Sequence, residues 1–183
     1  MKTLLLTNDD GFFSEGIQYL KDCLSSEYDV YIVAPDRERS GISMSLTIHS
    51  PLRLRKVRAK DYMIDGTPAD CVNIALQKIL PHPPDFLISG MNFGENLSED
   101  VFFSGTVAGA FTAYLYGIPS LAVSLIAEKQ VQKEGENFNL KEGAQITEYV
   151  LDKLFSLERK EAVFNLNIPY KNTGKIIPTK LGF

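Results

Sequence analysis

Short apolar runs of strand character alternate with stretches of helical periodicity along this chain, and no other feature constrains its fold as tightly. Thr3–Thr7 (TLLLT) and residues 28–34 (YDVYIVA) are rich in aliphatic, β-branched and aromatic side chains. Between them Ile17, Leu20 and Leu24 recur at helical spacing within residues 16–24. The unit then repeats. Residues 68–80 predict a helix after a Gly-Thr-Pro start, 85–89 (DFLIS) a strand, 106–116 a helix and 120–125 (SLAVSL) a strand. A helix over 141–155 and a strand over 162–167 close the pattern. Largely apolar strands alternating with helices require a mostly parallel sheet covered on both faces, so an α/β, doubly wound architecture is expected. Two stretches depart from it. Residues 46–65 are extended without a helix and read as a β insertion or hairpin extension; residues 127–139 are polar and read as a mobile surface connection.

With 183 residues the chain can bury the core of one domain. Its net charge of -4 and pI near 5.2 argue against a broadly basic surface, so no nucleic-acid polymer is expected as a partner. Cys23 and Cys71 each fall in a helical stretch and in no paired metal spacing, which fits buried thiols in a reducing compartment. The first apolar run stops at Asp9 and Asp10, too early for a signal peptide, and no later run nears the ~18 apolar residues of a membrane span. A cytoplasmic protein with no membrane partner is the expectation.

In a doubly wound sheet ligands bind beyond the carboxyl ends of the strands. Three polar, glycine-bearing loops follow strands here: Asn8-Asp9-Asp10-Gly11, the segment 34–41 (APDRERSG) and the segment 90–96 (GMNFGEN). They are expected to converge on one rim. Two adjacent carboxylates repel each other; with Ser and Asn oxygens nearby they form a hard-oxygen set suited to Mg²⁺ or Mn²⁺ and unsuited to a structural zinc site. Asp-Gly is also a turn signal, so the same residues read as turn formers or a helix cap. Ser104-Gly105-Thr106 opens a helix whose N–H groups and positive dipole end suit a phosphate, although the Walker A ending is missing and Ser104 or Thr106 also reads as a plain N-cap.

Other signals are weaker. Gly41-Ile42-Ser43-Met44-Ser45 lacks the closing glycine of a hydrolase elbow, and the two histidines, His49 and His82, lie in a strand-like stretch and a Pro-rich turn. Arg53, Arg55, Lys56 and Arg58 read as a solvated edge strand. Phe12, Phe13, Phe93, Phe102 and Phe103 sit in or beside the rim loops and read either as base-stacking groups or as packing.

Five stretches taken together resemble the SurE-like survival proteins, metal-dependent 5'-nucleotidases: NDDG (8–11), AP followed by RSGISMSLT (34–47), GTPADCV (66–72), SGMNFGENL (89–97) and DVFFSGTV (100–107). They occur in the family's order. The resemblance implies a Rossmann-like fold and a divalent metal held by Asp9, Asp10, Ser40 and Asn92, with the substrate phosphate contacted by Asn96, Ser104, Gly105 and Thr106. Asn8, Thr67 and Asp70 are expected to support those groups. It further implies hydrolysis of a nucleoside 5'-monophosphate to nucleoside and phosphate, Asp9 or Asp10 positioning or deprotonating the attacking water, and a homodimer or homotetramer.

The sequence departs from the family at Ser98, where Gly is usual, and at Thr112-Ala113, where Glu-Gly is common. Typical members also continue well past residue 165, so 1–183 reads as a single domain shortened at its C-terminus. Two rivals stay open. A haloacid dehalogenase-like phosphatase also puts acids after the first strand, but as Asp-x-Asp, and Asn8 stands where its nucleophile would be. A non-catalytic nucleotide- or metal-binding module would bind nucleotide without releasing phosphate.

Overall fold

The computed structural model describes residues 1–127, 139–157 and 162–181. The strands are β1 (Thr3–Thr7), β2 (Asp29–Pro35), β3 (Leu54–Arg58), β4 (Asp61–Ile64), β5 (Phe86–Phe93), β6 (Ser120–Ile126) and β7 (Val163–Pro169). The helices are α1 (Glu15–Leu24), α2 (Pro68–Ile74), α3 (Gly105–Leu115) and α4 (Leu140–Phe155); a π-helical turn, Ala75–Ile79, prolongs α2. The strands form one sheet in the order β3-β4-β2-β1-β5-β6-β7, parallel throughout except for β3 against β4.

Side-chain alternation along the strands divides the core into two layers. Leu4, Leu6, Ile32 and Ile88 pack on one face with Ile17, Leu20 and Leu24 of α1 and Leu151 of α4. Leu5, Val33, Leu87 and Ala122 pack on the other with Val72 of α2 and Val107 and Ala110 of α3. β1 is buried at all five positions, as a central strand covered on both sides must be. The chain leaves β1 through α1 toward β2 on one side, and α2 later brings it back to β5 on the other. The order therefore reverses between β1 and β5, and a crevice opens at their carboxyl ends.

Three expectations need correction. The extended region begins at Leu54 rather than Leu46, and its β3–β4 hairpin joins the main sheet through β4 beside β2. β3 is the exposed edge, which explains its Arg and Lys residues. β5 does not end at Ser89: it runs on to Phe93 through a register shift against β6 between Ser89 and Asn92. Gly90, at φ +136°, supplies the backbone freedom for that bulge, so Asn92 stands on a strand and not in a loop. Cys71 is buried, and burial pushes its thiol well up, whereas Cys23 is only half-buried. The polar connection expected over 127–139 falls almost wholly outside the described residues.

Candidate active site

The turn after β1 is assembled from both neighbouring loops. Asn8, fully buried, donates from Nδ2 to the Gly11 carbonyl at 2.9 Å and closes the turn on itself. The Phe12 amide donates to the Pro35 carbonyl and the Arg39 amide to the Asp9 carbonyl, each at 2.7 Å, so the loop after β2 is stitched to the paired acids through main chain. That loop carries Ser40, exposed, whose hydroxyl donates to Glu38 Oε1 at 2.8 Å.

Asp9 is only 4% exposed and faces the start of α3. Its carboxylate accepts from the Thr106 hydroxyl and from the backbone N–H groups of Asp9 itself, Thr106 and Gly105. Burial nevertheless outweighs these donors and pushes the Asp9 carboxyl above its ordinary range. The approach is close because residue 105 is glycine: a Cβ there would lie 2.7 Å from Asp9 Cβ and 2.8 Å from its Oδ2. Ser104 is the N-cap of α3, accepting from the Val107 amide at 3.1 Å. The sequence therefore placed Gly105 and Thr106 correctly at a helix N-terminus, and the structure adds the Thr106 hydroxyl's bond to the Asp9 carboxylate.

Asp10 is perturbed by its neighbours' charges as well as by burial. Its carboxyl is pushed up to about 7, first by burial and then by the charges of Asp9 and Glu38. Its Oδ2 is buried and, among the described residues, has no hydrogen-bond partner; Asn8 Oδ1 is in the same position. Two acids crowded together with an unsatisfied oxygen suit a hard divalent cation, which takes carboxylate and neutral oxygen ligands. Among the described residues no group of three or more His, Cys, Asp or Glu gathers as a metal cluster, so such an ion would rest on the two acids plus neutral oxygens.

The neighbouring strand β5 brings Asn92 to the same rim, half-buried, its Nδ2 donating to the Gly94 carbonyl at 2.9 Å. Asn96 is buried and tied away from the acids' own turn, toward β6 and β7: its Nδ2 donates to Ser124 Oγ at 2.8 Å, and its main chain meets Asn165 and Asn167. Sequence reading missed Ser124, Asn165, Asn167 and Glu38. The available signal was polar residues at alternate positions of otherwise apolar strands, SLAVSLI and VFNLNIP.

Thr67 and Asp70 form a reciprocal cap on α2 and reach the segment after Ser40: the Thr67 hydroxyl donates to the Ser45 carbonyl at 2.7 Å and the Thr47 amide to Asp70 Oδ1 at 3.1 Å. Ser43 joins that segment to the one before α3, its amide donating to the Phe103 carbonyl at 3.0 Å and its hydroxyl to that of Phe102 at 2.7 Å. Phe102, Phe103 and Phe13 are exposed at this rim, while Phe12 is fully buried and belongs to the core. His49 and His82 are both exposed. Among the described residues no helix is long and apolar enough to cross a membrane.

Comparison with known proteins identifies the family. The family model described as Survival protein SurE matches residues 4–182. The chain is 39% identical over 188 residues to a curated protein from Desulforudis audaxviator named 5'-nucleotidase SurE, covering 98% of this chain and 70% of that protein. A protein of the same name from Pelobacter propionicus is 44% identical over 167 residues, with 91% and 65% covered. The crystal structure of the SurE protein from Aquifex aeolicus superposes with a TM-score of 0.83 at 41% identity, covering 92% of this chain and 66% of that one. The chain thus spans about two thirds of the length of these relatives. With the family model matching nearly its whole length and the sheet shared with a solved member, the chain belongs to the SurE family of survival proteins.

Proposed function

We propose that this chain is a divalent-metal-dependent phosphohydrolase that converts nucleoside 5'-monophosphates to nucleoside and phosphate. One observation carries the reading: two adjacent carboxylates, Asp9 buried and Asp10 half-buried with its Oδ2 out of solvent, repel each other at the reversal point of the sheet, against the N-terminus of α3. A pair held so is costly unless a cation joins it. The names of the related proteins supply the substrate class.

Asp9, Asp10, Ser40 and Asn92 would hold Mg²⁺ or Mn²⁺. Such an ion, when bound, supplies polarisation of a phosphoryl oxygen and a lowered pKa for a ligated water. The chain's own groups do the rest. Thr106 and the N–H groups of Gly105 and Thr106 keep the Asp9 carboxylate oriented and favour its ionised form. Asp9 or Asp10 would position or deprotonate the attacking water. The substrate phosphate would meet Asn96 and the Ser104-Gly105-Thr106 turn, where the helix dipole favours negative charge and the Ser104 hydroxyl, which accepts from the Val107 amide, keeps its own proton to donate. Asn8 is buried and bonded to Gly11 where a haloacid dehalogenase-like enzyme would need its nucleophilic Asp, so no aspartyl-phosphate is expected. A cytoplasmic homodimer or homotetramer completes the reading.

Phosphate release from a panel of nucleoside monophosphates, with Mn²⁺ or Mg²⁺ and against EDTA, tests it. Metal-dependent release supports the proposal. Nucleotide binding without release would favour the non-catalytic module instead.

A further inference from the structure

A polar row crosses the far half of the sheet, and the chemistry above uses only its first member. The registers of β5, β6 and β7 align Asn92, Ser124 and Asn167 on one rung. Asn96, four residues beyond Asn92, is 6% exposed, and its peptide groups lie outside any strand. Buried peptide groups need partners. Here the partners are side chains of β7. The Asn96 amide donates to Asn167 Oδ1 at 2.9 Å, and Asn167 Nδ2 donates back to the Asn96 carbonyl at 3.2 Å. Asn165 Nδ2 donates to the same carbonyl at 2.8 Å. A side-chain amide carries the donor and acceptor of a peptide group, so Asn167 makes the rung of ladder that main chain does not.

We propose that Asn167 and Asn165 are positioning residues for phosphate recognition, acting through Asn96. They fix the main chain of Asn96 on both sides while Ser124 takes one donor of its carboxamide, leaving the second N–H to face the substrate phosphate. The proposal rests on the reading in which Asn96 contacts that phosphate. It assigns the edge strand β7 a part in the reaction although it bears none of the candidate metal ligands.

The test is a double-mutant cycle of Asn167→Leu and Asn96→Ala on the full chain, read by phosphate release from a nucleoside 5'-monophosphate with Mn²⁺. Misplacing a recognition group by about 1 Å costs on the order of 10²-fold, so Asn167→Leu is expected to lower kcat/KM by roughly 10–100-fold. Mn²⁺ affinity should stay near wild type, Tm should fall by a few degrees because the Asn96 amide loses its partner, and no further loss of kcat/KM should appear once Asn96 is Ala. Asn165→Ala removes one donor at an exposed position and is expected to cost roughly 3–10-fold, which keeps the idea testable should Asn167→Leu fold poorly. Additive losses, or losses that follow Mn²⁺ affinity, would overturn the positioning role while leaving the phosphohydrolase reading intact. A wild-type chain that neither releases phosphate nor binds inorganic phosphate in the presence of Mn²⁺ would overturn both.

Discussion

The loop after β1 and the segment after β5 both serve the rim, yet they are held there by opposite means. Asp9 and Asp10 sit in a turn closed by their own neighbours, Asn8 to Gly11, and by main-chain bonds to the next loop. Asn96 is held by side chains of Ser124, Asn165 and Asn167, from strands that follow it by 28, 69 and 71 positions. The first arrangement rests on main-chain groups of its own and the next loop and places charge. The second rests on side chains of two later strands and places a neutral donor, so it tolerates gradual loss where the first does not.

That contrast orders the expected effects. Asp9→Asn or Asp10→Asn removes charge from the pair itself, and phosphate release is expected to fall by about 10³-fold or more, as it should with EDTA. Equal activity in either variant would remove the charged turn from the chemistry. Gly105→Ala comes next: its methyl would meet Asp9 Cβ at 2.7 Å, so Asp9 must shift, and kcat/KM should drop on the order of 10²-fold. A variant with wild-type kinetics would show that the approach of α3 to Asp9 is not required.

Thr106→Val keeps the shape of the helix start but removes the hydroxyl donor to Asp9. Loss of a partner that orients a metal ligand lowers metal affinity by roughly 10–100-fold, measurable by titration calorimetry with Mn²⁺. The smallest effect is on stability. Asp10 ordinarily titrates near 3.8 and is raised to about 7 in the fold, so its contribution is complete below the unfolded value and is lost as pH rises through about 7. Metal-free Asp10→Asn protein should therefore melt about 2–4 °C above wild type at pH 8.5 and no higher near pH 4. Added Mn²⁺ should raise the wild type selectively. A wild type more stable than the variant at pH 8.5 without metal would contradict the crowding of the two acids.

The same contrast explains what the sequence revealed. The doubly wound sheet was readable because apolar alternation and helical spacing are local patterns, and Leu4, Leu5 and Leu6 divide between two faces for the same reason. Asp9-Asp10 was readable because its oddity, two adjacent acids ending a buried strand, lies within four residues. The bond from Thr106 to Asp9 spans 97 positions, and no local pattern encodes it. The apolar run DFLIS stops at Ser89, but in the fold Gly90 makes a bulge and the strand's pairing resumes at Asn92. Asn165 and Asn167 carry no local signal of a partner, since their bonds exist only once the Asn96 segment lies beside them.

Anomalous diffraction from crystals soaked in Mn²⁺ tests the central claim most directly, because it locates the ion without relying on turnover. The expected result is a single strong peak at the carboxyl ends of β1 and β5, ligated by Asp9 and Asp10 with Ser40 and Asn92 completing the set. A peak elsewhere with the two acids unligated, or no peak in crystals at saturating Mn²⁺, would contradict the account.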